Sequence, residues 1–160
     1  MGQIESYIEI LIDSLIQKKA LLLKLNKETK KQAKIANKDE FKLIEFEETI
    51  KEKEKLLKQV ELLDNGFNGI YERVRHDLIN SKEQYKDKII EFKKIINEIS
   101  ELSITIQVAE ERNKNSIEKQ LSKYKKEVKQ FKQNKKSVTS YYKSMSKTHK
   151  GESYFVDRKN

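Results

Sequence analysis

No proline occurs anywhere in the 160 residues, and glycine occurs only four times. Proline ends a helix by sterics and by its missing donor, and glycine weakens one through backbone entropy. A chain almost free of both has little to stop a helix once it has begun. Charged residues reach 38% while apolar ones reach only 36%. That balance belongs to long helices sharing a thin core rather than to a compact globule. The expected fold is all-α: an elongated antiparallel bundle of about three long helices, the last one longest.

Apolar periodicity places the elements. Ile4, Ile8, Leu11, Leu15, Leu22 and Leu25 recur at helical spacing and predict a helix over about 3–34. Ile10, Ile12, Ile16, Leu21 and Leu23 widen its stripe, as a helix touching two neighbours requires. Ile35-Ala36-Asn37-Lys38 breaks the rhythm, and Asn37 with Glu40 reads as a capping box for the next helix. That helix is expected over 38–63 on the face Leu43, Phe46, Ile50, Leu57 and Val60, with Lys53 interrupting it. Asp64-Asn65-Gly66-Phe67-Asn68-Gly69 reads as a turn. A short helix over 70–80 should follow, and Ser81 with Gln84 forms a second capping pattern.

From there the pattern predicts one helix over 82–147, with a polar tail at 148–160 expected to be flexible. Glu110 and Asn113 stand where apolar residues are due, so a bend or a change of neighbour is expected at 107–116. An unbroken helix of that length would span about 100 Å, far beyond the roughly 35–50 Å of the first two. Either it folds back as a hairpin, or its C-terminal part projects with an apolar stripe uncovered.

Catalytic and metal chemistry find no footing in the pattern. There is no cysteine, and His76 and His149 have no companion at ligand spacing. No glycine-rich phosphate loop occurs. Glu45, Glu47, Glu48, Glu52 and Glu54 alternate with lysines as on a solvated helix face. The expectation is a protein that is not an enzyme and needs no cofactor. Without a signal-peptide pattern at the N-terminus or an apolar run of membrane length, a cytoplasmic location is expected.

Charge is concentrated. Residues 112–160 carry a net +11, whereas residues 1–111 carry −2. Within the basic part, Ile117, Leu121, Tyr124, Val128, Phe131, Val138, Tyr142 and Met145 form an apolar stripe. Lysines flank it, among them Lys125, Lys129, Lys132 and Lys136. One reading makes this face the closure of the bundle. The other makes it a seat for an amphipathic segment of a partner, with the lysines steering an acidic molecule. The two are compatible if the partner replaces an intramolecular contact. Two further readings stay open: non-specific nucleic-acid binding through the basic segment, and a structural coiled coil that self-associates as a homodimer.

Three features resemble the FlgN-type flagellar export chaperones. They are two long N-terminal helices parted by Ala36-Asn37-Lys38-Asp39-Glu40, Asn113 with Ser116-Ile117 deep in the third helix, and a tail with Tyr142, Gly151 and Asp157-Arg158-Lys159. Ser116 stands where that family usually has leucine. The resemblance implies a cytosolic chaperone for hook-associated proteins of the hook–filament junction. It would bind their C-terminal amphipathic helix through residues 117–145, prevent premature assembly, and deliver them to the flagellar type III export apparatus. It further implies that a C-terminal tyrosine, Tyr141 or Tyr142, docks on a component of that apparatus.

Overall fold

A computed structural model describes residues 2–123 and 135–145. The described residues are helical apart from two short connections. Helix α1 spans Gly2–Ala36, α2 Leu43–Asn80 and α3 Lys86–Lys123. A short fourth helix, α4, covers 135–145. Helix α1 packs along both α2 and α3, as its wide apolar stripe requires. Direction follows from the cross-contacts. Lys18 pairs with Asp64 and Gln32 bonds Thr49, so α2 runs against α1. Lys19 pairs with Glu98 and Thr29 bonds Glu110, so α3 runs with α1. Tyr141 bonds Glu110, and Val138 shares a groove with Ile117, so α4 runs against α3.

Each long helix buries one seam at alternating three- and four-residue steps. In α1 the seam is Ile8, Leu11, Leu15, Lys18, Leu22, Leu25, Thr29, Gln32 and Ala36. In α3 it runs through Phe92, Ile96, Ile99, Ser103, Ile106, Glu110, Asn113, Ile117 and Gln120. Of the residues expected to widen the α1 stripe, Ile12 is buried and Leu21 half-buried, while Ile10, Ile16 and Leu23 face solvent.

Four expectations are corrected. The 64–69 turn does not exist: α2 is one helix where 38–63 and 70–80 were expected. Phe67 holds the seam between Val60 and Tyr71 and stacks on Tyr71 and Phe92, so core burial there outweighs the local preference of Asp, Asn and Gly for turns. Nor is Asn37 an N-cap. Its amide donates to the Ala33 carbonyl at 2.8 Å, closing the end of α1, and α2 begins after Lys42 without a side-chain cap. Ser81 likewise ends α2, its N–H donating to the Asp77 carbonyl, and α3 starts only at Lys86. Finally, 82–147 is not one helix. Residues 110 and 141 would stand about 45 Å apart along a continuous helix, yet their side chains share a hydrogen bond of 2.8 Å. With 35, 38 and 38 residues, the three long helices instead match in length. Helix α3 continues unbroken through 107–116.

Candidate partner-binding site

The polar residues on the three seams find one another. Lys53, fully buried on α2, forms an ion pair with Glu110 of α3 and donates to Gln32 Oε1 of α1 at 2.7 Å. Glu110 Oε1 also accepts from Thr29 Oγ1 at 2.9 Å and from the Tyr141 hydroxyl at 2.8 Å. Gln32 Nε2 donates to Thr49, and the Asn113 amide donates to the Thr29 carbonyl and to Gln32 Oε1. A cation and an anion buried separately would each lose several kcal/mol of hydration, so they are placed at one level and share their bonds. Lower down, Gln120 donates to the Ala36 and Lys38 carbonyls, and Ser116 to Asn37 Oδ1. Helix α3 thus satisfies carbonyls that the end of α1 leaves open.

Burial dominates the electrostatics. It lowers the Lys53 ammonium to about 8, against the opposing pull of Glu110. It raises Tyr141 well above the usual phenol range, and Glu110 beside it adds to the effect. Buried lysines of lowered pKa are used as nucleophiles or bases elsewhere. Here Glu110 neutralises Lys53, and the Tyr141 ring lies 4.5 Å from its Nζ. That geometry gives the pair a structural part while α4 is seated. Among the described residues no group of three or more His, Cys, Asp or Glu could hold a metal ion.

Helix α4 lies on this cluster as an amphipathic segment. Val138, Tyr141 and Met145 are buried, whereas Lys135, Lys136, Thr139 and Lys143 face outward. Beside it an open groove of about 420 Å³ runs between α3 and α4. Its apolar lining is Ile117, Leu121, Val138 and Tyr142, and Lys114, Lys135 and Lys143 stand along it with Glu118. The Tyr142 hydroxyl is enclosed without a hydrogen-bond partner among the described residues, and burial raises its pKa.

The predicted stripe therefore divides. Ile117, Val138 and Met145 are intramolecular core, and Leu121 and Tyr142 are half-buried at the groove. Lys136 is exposed. Tyr124, Val128 and Phe131, the lysines 125, 129 and 132, and the tail 148–160 lie outside the described residues. Of the two tyrosines, Tyr141 points into the core and Tyr142 presents surface. Sequence reasoning missed that Lys53, Glu110 and Tyr141 meet. The available signal was that Lys53 and Glu110 each break an apolar seam with opposite charge. Comparison with family models, curated proteins and solved structures finds no match for the chain.

Proposed function

We propose that the protein is a chaperone that holds an amphipathic helix of a client, of the FlgN type that the sequence resembles. The client would be the C-terminal segment of a flagellar hook-associated protein, kept from assembling in the cytosol and handed to the type III export apparatus. One observation carries the reading. The α3 seam already takes an amphipathic helix, α4, and beside it leaves an apolar groove edged by lysines. A client helix laying Leu, Ile or Met residues at helical spacing against the half-buried Leu121 and Tyr142 would complete that surface. Lys114, Lys135 and Lys143 would favour an acidic flank on it.

Calorimetric titration of the full chain with a hook-associated protein's C-terminal helical peptide tests this. Binding that survives high salt, has a negative heat-capacity change and weakens at least tenfold in Leu121→Asp supports it. Binding unchanged by Leu121→Asp places the client elsewhere. Mixed-sequence DNA is the second titrant. Uptake of DNA that collapses steeply with salt, beside a silent peptide, would assign the basic segment to nucleic acid instead.

A further inference from the structure

The geometry points to a second docking site, at the end of the bundle where α2 turns into α3, for an acidic amphipathic helix of a partner protein. A cleft of about 370 Å³ opens there. Its floor includes the buried faces of Ile8, Tyr71, Leu78 and Phe92, with the Tyr71 and Phe92 rings stacked at 6.4 Å. Ile79 and Ile90, also lining it, are 58% and 57% exposed, so the apolar surface continues out of the cleft onto both helices.

The rim is cationic. Arg75, Lys82, Lys86, Lys88 and Lys93 line the cleft, against the single carboxylate of Glu83. This is not the average of the region, since residues 1–111 sum to −2. Arg75 and Lys88 have carboxylate neighbours one turn away, Glu72 at 3.7 Å and Glu91 at 4.0 Å, in exposed pairs that bind weakly. Lys82 lies in the turn and Lys86 is the first residue of α3. Lys82 follows the C-terminus of α2, where a cation is favourable, and Lys86 opens α3 beside the acidic Asp87.

The chemistry selects the occupant. An apolar floor gives a phosphate backbone nothing to fill it with. Cations on both walls of a concave cleft suit a rod lying between them better than a flat headgroup layer. An amphipathic helix with apolar anchors three and four residues apart and Glu or Asp on its flanks meets floor and rim together. Phe92 and Glu110 are about 27 Å apart along α3, so this site is separate from the groove beside α4 and does not rest on the client reading.

The test uses the full chain and a fluorescein-labelled peptide of about 18 residues, with Leu on one helical face and Glu elsewhere. Anisotropy is read at about 50 mM and about 300 mM salt. Two variants change exposed residues only, Lys82→Glu/Lys86→Glu and Ile79→Ser/Ile90→Ser, and circular dichroism checks their helix content. The expected result is saturable binding by the wild type. The charge variant should weaken it at least about tenfold at low salt, and the isoleucine variant at both salts. No binding by the wild type, or binding that neither variant changes, overturns the proposal. So does flotation with phosphatidylglycerol vesicles that the charge variant abolishes while the peptide stays silent, which would make the rim a lipid contact. A concentration-dependent dimer in sedimentation, abolished by Ile79→Ser/Ile90→Ser with the peptide silent, would assign the cleft to a second copy of the chain.

Discussion

Lys53 and Glu110 are the least expected residues to find at the centre of a helical bundle, and their pairing makes two predictions. Removing the Glu110 charge leaves the Lys53 ammonium buried without its partner, so Glu110→Gln should destabilise the fold by about 3–5 kcal/mol. Adding Lys53→Met removes the stranded charge, and the glutamine amide oxygen still accepts from Thr29 and Tyr141. The double variant should therefore recover most of the loss, which urea unfolding of both single variants and the double beside the wild type would measure. Near-additive losses would mean that the two residues act independently. The second prediction concerns pH. The Lys53 pKa is about 8 in the folded chain against an ordinary 10.5. Between those values the unfolded chain keeps a proton that the folded chain has released, so stability rises with pH. The gain is on the order of 2 kcal/mol between about pH 8 and 9.5. Below pH 8 both states hold the proton and the burial penalty is fully present. Above about pH 10 the raised tyrosines Tyr141 and Tyr142 act oppositely, because the unfolded chain then loses protons that the folded one keeps. Urea midpoints of the wild type should climb between pH 8 and 9.5, and those of Lys53→Met/Glu110→Gln should stay flatter.

At the scale of elements, α2 separates what the sequence made legible from what it hid. Its seam runs through Phe46, Ile50, Lys53, Leu57, Val60, Asp64, Phe67, Tyr71, Val74 and Leu78 without a missed step. Eight of these ten are apolar, so the helical period was readable throughout. Asp64, Asn65, Gly66, Asn68 and Gly69 made the middle look like a turn because local propensity describes a chain without neighbours. The fold supplies those neighbours: Lys18 takes Asp64 at 2.8 Å, and Phe67 enters the aromatic stack. The same blindness applied to Glu110 and Asn113, polar residues on an unbroken α3 seam whose partners lie about 80 residues away. The apolar lining of the candidate groove, Ile117, Leu121, Val138 and Tyr142, came from periodicity. The return of α4, which decides which of those residues are core, required knowing that residue 141 meets residue 110. A helical middle for α2 has a direct consequence. A methyl added at Gly66 or Gly69 meets nothing within 4 Å, and neither residue has positive φ. Each Gly→Ala change should therefore stabilise the protein by roughly 0.5–1 kcal/mol. A tight turn at 64–69 would give the opposite sign, so thermal melts of Gly66→Ala and Gly69→Ala read the element itself.

At the scale of the whole molecule, α1, α2 and α3 form a frame of nearly equal lengths, and α4 is a short cover on one end of it. The seating of α4 includes one hydrogen bond to a buried carboxylate, from the Tyr141 hydroxyl to Glu110. A bond to a charged group contributes about 1.5–3 kcal/mol. Tyr141→Phe keeps the ring over Lys53 and removes that bond, together with the hydroxyl's weak contact to Met145 Sδ at 3.9 Å. Amides of 135–145 should then exchange faster, while those of α1 to α3 hold their protection. The effect on a client of the proposed kind depends on where it binds. If the client helix takes the α3 seam beneath α4, every seated copy of α4 lowers the apparent affinity, and a loosened α4 returns it. Tyr141→Phe should in that case tighten binding of the hook-associated peptide by about tenfold or more, since 1.4 kcal/mol is a factor of ten. If the client lies in the open groove beside α4, it needs Val138 and Tyr142 held in place. Faster exchange of α4 would then come with unchanged or weaker binding. Exchange rates and peptide titration on the same variant separate, for the proposed chaperone, swapping one helix for another from adding a helix to the bundle.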